Sequence, residues 1–247
     1  MRSVIRNVLL VGGLLYGVMG LGVQTSLAQE PHERIYIEDF EGYEAGDPPY
    51  HWKRPHKNDR TVLELPRTLT RDNDYFEIVE EDGQKRGRIF TRDDTEQVVR
   101  LNGDGYRWSL RTHPRLAWSW RAERLPEGAR EDKARFNDTG AALYVTFGSR
   151  DWLGRPRTIK YTYSSTLPVG TTARYGALRL IVVSSALDAM GTWLHIERDV
   201  AADYERLFGH PPPDAPGYIM LWGDSDTTHG LSDVYFDDLV ALPRDGS

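Results

Sequence analysis

A period of two runs through the middle of this chain and leaves few architectures open. In "LAWSWRAE", Leu116, Trp118, Trp120 and Ala122 alternate with Ala117, Ser119, Arg121 and Glu123. In "AALYVTF", Ala141, Leu143, Val145 and Phe147 share a side, with Ala142, Tyr144 and Thr146 opposite. "TIKYTY" sets Ile159, Tyr161 and Tyr163 against Lys160 and Thr162. Successive side chains of a strand point to opposite faces, so each segment reads as a strand with one buried and one wetter face. "LRLIVVSS", from Leu178, is apolar on both faces, as a strand covered on both sides would be.

Around these segments the punctuation is that of a sheet protein. "YFEIVEE" turns at Asp82-Gly83 into "KRGRIFTR", a hairpin signal. "RIYIEDF" opens as a strand and breaks at Gly42, Gly46, Pro48 and Pro49, and residues 53–74 show no period and read as a long loop. One helix is predicted, at about 199–208. Asp199 caps it, Val200, Tyr204, Leu207 and Phe208 form its stripe, and Gly209 with Pro211 to Pro213 ends it. Many strands and one short amphipathic helix predict an all-β, jelly-roll-like antiparallel β-sandwich.

The first 28 residues carry Arg2 and Arg6, an apolar run over 8–23, and Ser26 and Ala28 at the −3 and −1 positions of a cleavage site. That order is expected of a secretory signal peptide at 1–28, followed by a single domain at 29–247 in the periplasm or outside the cell. No other segment is apolar enough to span a bilayer, so no membrane span is expected after cleavage. The chain has no cysteine, which excludes disulfides, thiol nucleophiles and thiolate metal sites. About 220 residues can instead supply a sufficient core. Loss of the leader takes the formal net charge from −6 to −8, which argues against nucleic acid as a partner. The basic residues are 26 Arg and 5 Lys. Arg clamps carboxylates in a bidentate way that Lys does not, although the base composition of a genome yields the same excess.

Three marks stand out as a set: the opening "EDFEG", the middle "LAWSWRAERLPEGA…FNDTGAALYVTF", and the closing "DVAADYERLFGHPPPDAPGYIMLWGDSDTT…YFDDL". Together they resemble an exported bacterial domain-of-unknown-function family, number 3047. The resemblance implies an extracytoplasmic β-sandwich and supplies no reaction. The DFEG start and DDL finish are also similar to jelly-roll carbohydrate-binding modules, in which acids on the first and last strands often share a structural calcium.

Aspartates at 224, 226, 233, 237 and 238 crowd the closing segment. An EF-hand loop begun at Asp224 fails, because His229 takes the place of the turn glycine and Tyr235 that of the closing Glu. First and last strands of a sandwich often lie side by side, so Asp39 or Glu41 is expected to lie close to Asp237 or Asp238 and hold calcium as the one cofactor. The alternative is that these acids end strands in solvent or cap turns. Ser225, His229 and Asp233 share a loop, but without a nucleophile elbow they make no triad. His51 and His56 have the wrong spacing for a zinc helix and read as surface histidines. If Ile219 and Leu221 of "YIMLW" face the core, Tyr218, Met220 and Trp222 point outward, and Trp222 leads straight to Asp224, Asp226 and Thr228. The competing reading has the helix cover that face with Tyr204 and Phe208. A flat aromatic face beside carboxylates suits a sugar. Trp222, Asp224, Asp226, Thr228, Tyr218 and Tyr144 are therefore the expected ligand-binding residues. The function expected is non-catalytic binding of a carbohydrate or cell-envelope glycan. The alternatives are a polysaccharide-cleaving enzyme (lyase or hydrolase) on the same fold and a structural envelope protein, and no catalytic residue is assigned.

Overall fold

The computed structural model describes residues 33–55 and 61–244. The leader expected at 1–28 and His56 lie outside the described residues. In chain order the strands are β1 (Ile35–Glu38), β2 (Lys53–Pro55), β3 (Val62–Glu64), β4 (Asp74–Glu81), β5 (Gln84–Arg92), β6 (Thr95–Leu101) and β7 (Arg115–Arg124). There follow β8 (Thr139–Arg150), β9 (Pro156–Ser164), β10 (Thr172–Tyr175), β11 (Leu178–Ser185) and β12 (Leu194–Asp199). Helix α1 (Val200–Phe208) leads to β13 (Pro216–Asp224) and β14 (Leu231–Leu242).

Two sheets form a jelly-roll-like β-sandwich. One runs β12-β7-β14-β5-β4, with β1 beside β14, and the other runs β10-β11-β9-β8-β13-β6-β2-β3. All neighbours are antiparallel except β9 and β11. The period-two residues meet between the sheets: Leu116, Trp118, Trp120 and Ala122 of β7 are fully buried, as are Ile159, Tyr161 and Tyr163 of β9. Their rings interlock across the gap, Trp118 with Tyr161 and Trp120 with Tyr163, both at 5.5 Å between centroids. The β4–β5 hairpin turns on Asp82 (φ 54°) and Gly83 (φ 76°), the two positive φ angles that a type I′ turn demands.

Helix α1 is capped as its sequence predicts. Asp199 accepts the Ala202 N–H at 2.8 Å, and Gly209 closes the helix in the left-handed region. Tyr204 packs edge-on against Phe147, 4.6 Å between centroids, within the inter-sheet core. The helix thus joins that core and does not cover the outward side of "YIMLW". The span 53–74, read as loop, contributes β2 and β3, three residues each, to one edge of the larger sheet. Segments that short carry too few residues to show a period. Among the described residues, no helix is long and apolar enough to cross a membrane.

Candidate functional site

Strand β13 sorts its side chains as alternation requires. Ile219 and Leu221 enter the inter-sheet core, while Tyr218, Met220, Trp222 and Asp224 face outward from the larger sheet. From Tyr218 to Asp224 this row is about 20 Å long at roughly 3.3 Å per residue. Register supplies its neighbours: Met220 lies between Tyr144 of β8 and Val99 of β6, and Tyr144 lies beside Lys160 of β9. The half-buried Trp222 stacks on Tyr144 with centroids 5.3 Å apart, and its Nε1–H donates to Thr95 Oγ1 at 2.7 Å. Tyr144 faces outward as expected but is only 6% exposed, so it backs Trp222 and offers little surface of its own.

Beyond Trp222 the carboxylates converge. Asp224 and Asp226 meet Asp138, with one oxygen from each inside a 4.8 Å span. Asp138 is fully buried and holds the following loop by accepting the N–H groups of Thr227 (2.9 Å) and Thr228 (2.7 Å) and the Thr228 hydroxyl (2.5 Å). Thr228 is therefore an anchor of the loop. Burial, with the charges of Asp226 and Asp138, pushes the Asp224 carboxyl up to about 7. Lys160, 4% exposed, donates to Thr139 Oγ1 at 2.5 Å, and its Nζ lies 5.5 Å from the Tyr144 ring centroid. Burial pushes it down to about 8, against the pull of Glu131, Asp224 and Asp138. Glu131 is fully buried: Oε2 accepts from Ser164 at 2.6 Å, Oε1 has no hydrogen-bond partner, and burial raises its pKa. Chemically, this end of the face can accept hydroxyl protons, hold a hard cation through three carboxylates, or exchange a proton near neutrality.

The terminal strands do pair, Ile35 opposite Ala241 and Glu38 opposite Leu239. Burial raises the Asp237 carboxyl, and Asp238 and Glu41 lie close enough for their charges to add to the rise, while Asp39, Glu41 and Asp237 are also engaged by other groups. Asp39 accepts the Glu41 N–H (3.2 Å), Glu41 accepts the Lys85 N–H (3.0 Å), and Asp237 faces Arg86 Nε at 3.5 Å. Asp238 sits at φ 53°, where β14 slips register against β7. Backbone amides and an arginine already engage three of these carboxylates, and among the described residues the metal-spaced group is Asp138, Asp224 and Asp226. The loop triad is likewise dispersed. Ser225 is buried against Thr91, His229 meets Asp93, and Asp233 takes Nε and one terminal nitrogen of Arg88.

At the Tyr218 end a cleft of about 530 Å³ opens, lined by Tyr218, Val62, Val99, Thr146, Arg150 and Arg155 among others. Trp152, at the adjoining β8–β9 turn, is 89% exposed. Sequence reasoning passed over Trp152, Asp138, Lys160 and Glu131. A Trp inside the turn-like "RDWLGR" was a readable signal. Nothing local marks Asp138 as the partner of a loop some ninety residues on.

A family model described as "Protein of unknown function (DUF3047)" matches residues 68–240. Among curated proteins none matches. Of solved structures, the family 11 carbohydrate-binding module of the cellulosomal cellulase Lic26A-Cel5E of Clostridium thermocellum is similar at 10% identity and a TM-score of 0.40, covering 86% of this chain and 95% of that one. A mutant ENZbleach xylanase is similar at 10% identity and a TM-score of 0.30, covering 79% and 88%.

Proposed function

The chain belongs to the DUF3047 family, whose description names no activity, so we propose a function from the site itself: an exported protein that binds a carbohydrate or cell-envelope glycan along the outward face of its larger sheet. One observation carries this. A single strand, β13, presents Tyr218, Trp222 and Asp224 in one outward row, with a cleft at one end and three carboxylates at the other. A sugar ring has apolar C–H faces that lie on an indole and hydroxyls that donate to carboxylates. Tyr144 holds the Trp222 ring in place, so little freedom is lost on binding. Export rests on the leader sequence at 1–28.

In a glycan-array screen followed by calorimetry, Trp222→Ala is expected to weaken the best ligand at least tenfold, about 1.4 kcal/mol. Because Trp222 is only half-buried, the stability loss should stay well below the roughly 3–5 kcal/mol of a core Trp. Native protein that retains no glycan, or a mutant that binds undiminished, would overturn the reading.

A second reading, cleavage of the bound polysaccharide, is favoured by the convergence of Asp138, Asp224 and Asp226 beside the Trp222 face, where burial raises Asp224 to about 7 and lowers Lys160 to about 8. Two groups poised near neutrality are what general acid–base chemistry uses. On the binding reading, a polysaccharide that binds shows no new chain ends after long incubation at pH 7.5. Chain ends that accumulate with native protein and vanish with Lys160→Met would establish the enzyme.

A further inference from the structure

The cleft at the Tyr218 end differs in charge from the rest of the face. Val62, Val99 and Leu101 make it apolar, Thr146 and Tyr218 add hydroxyls, and among the described residues its charged lining is Arg150 and Arg155. The two arginines are not equivalent. Arg155 is clamped by Asp151 through Nε (2.8 Å) and a terminal nitrogen (2.7 Å), so its charge is answered within the protein. Arg150 is exposed and gives one N–H to the Gly154 carbonyl at 2.7 Å. Among the described residues it meets no carboxylate. A guanidinium has five N–H donors in a planar fork matched to a carboxylate, and among the described residues Arg150 commits one of them.

The turn between the arginines is built to display an aromatic ring. Asp151 accepts the N–H groups of Leu153 and Arg155, both at 2.9 Å, which fixes the loop. Trp152 at its tip is 89% exposed. A large flat side chain held out on a fixed turn, next to an unanswered cation and an apolar cleft, offers stacking and charge pairing at small conformational cost.

We propose that this cleft is the subsite for a carboxylated sugar, a hexuronate unit of the glycan, with Arg150 pairing its carboxylate and Trp152 stacking on its ring. The inference rests on the glycan-binding reading and assigns it a ligand class. The charge gradient along β13 gives the ligand a direction. The acid unit lies at the Arg150 end, and neutral units run over Trp222 toward Asp224 and Asp226, where a second carboxylate would meet like charge.

The test uses hexuronate-containing oligosaccharides, each beside its carboxyl-reduced twin, in calorimetry at low and moderate salt. The acidic form is expected to bind at least tenfold more tightly than its twin. Arg150→Gln should erase that preference by weakening the acidic form far more than its reduced twin, and Trp152→Ala should weaken both. Both positions are exposed, so the variants are expected to fold. Equal binding of the twins, or no effect of Arg150→Gln, overturns the subsite. If the reduced form still binds and Trp222→Ala abolishes that binding, the glycan reading stands without it. Binding of neither form overturns both. Equal competition by polyglutamate would assign the cleft to acidic protein segments and overturn the proposal.

Discussion

Glu38→Ala is expected to remove about 3–5 kcal/mol of stability, the cost of stranding a buried charge. Glu38 ends the first strand, and its carboxylate is the meeting point of four donors. Oε1 takes the Phe40 N–H at 3.0 Å, while Oε2 takes the Tyr43 hydroxyl at 2.9 Å, the Trp52 indole at 2.8 Å and an arm of Arg100. Truncation leaves a buried guanidinium, an indole and a phenol without their acceptor, each with its own desolvation penalty. Phe40 adds a geometric demand, since it is fully buried at φ 56° and its ring lies 2.7 Å from where a Cβ on Gly87 would stand. The measurement is the urea midpoint of the mutant against Glu38→Gln/Arg100→Met, which removes both charges and should recover most of the loss. A Glu38→Ala loss under 1 kcal/mol, or a double variant worse than the single, would refute the account.

That hub shows where the sequence was legible and where it was not. "EDFEG" was visible as a mark, and the strand it opens was readable, but the role of Glu38 depends on Trp52 and Arg100, which arrive from elsewhere in the chain. By contrast the β7, β8 and β9 segments declare their buried faces through their own alternation, and α1 declares itself through Asp199, its apolar stripe and Gly209. These signals are local, and local chemistry fixed the result. The parallel pairing of β9 with β11 and the attachment of β2 to β6 have no local signal, because they are settled by which edges meet once the core forms. The site divides in the same way. Trp222 and Asp224 follow from alternation in β13, whereas Asp138, Lys160 and Glu131 join them only through strand register and loop closure. The acids just after β1 and those on β14 are neighbours as sequence logic expects, yet spacing along a chain cannot say which carboxylates a backbone amide will take first.

Within the three-carboxylate group, two members are expected to act in opposite directions. Asp138→Ala should cost roughly 2–4 kcal/mol, because a buried ionic acceptor of three hydrogen bonds is lost at about 1.5–3 kcal/mol for a bond to a charged group, less what water recovers at the exposed loop. Asp224→Asn should instead stabilise the protein above pH 7. Asp224 accepts no comparable set, and its carboxyl is raised to about 7 from an ordinary 3.8. Between those values the folded protein keeps a proton that the unfolded chain releases, so this group erodes stability as pH rises from about 4 to 7. An asparagine has no proton to lose and escapes the erosion. After allowance for solvent at this partly open site the gain is on the order of 1–2 kcal/mol. Glu96 and Asp237, each also raised to about 7, contribute slopes of the same sign and remain in the variant. Thermal melts of the native protein and both variants at pH 5 and pH 8 separate these effects. Asp138→Ala should melt lower at both, while Asp224→Asn should gain only part of its advantage at pH 5 and the full gain at pH 8. An Asp224→Asn variant less stable at pH 8 would mean that the carboxylate is held charged by Lys160, and that their attraction outweighs both burial and the repulsion of Asp138 and Asp226.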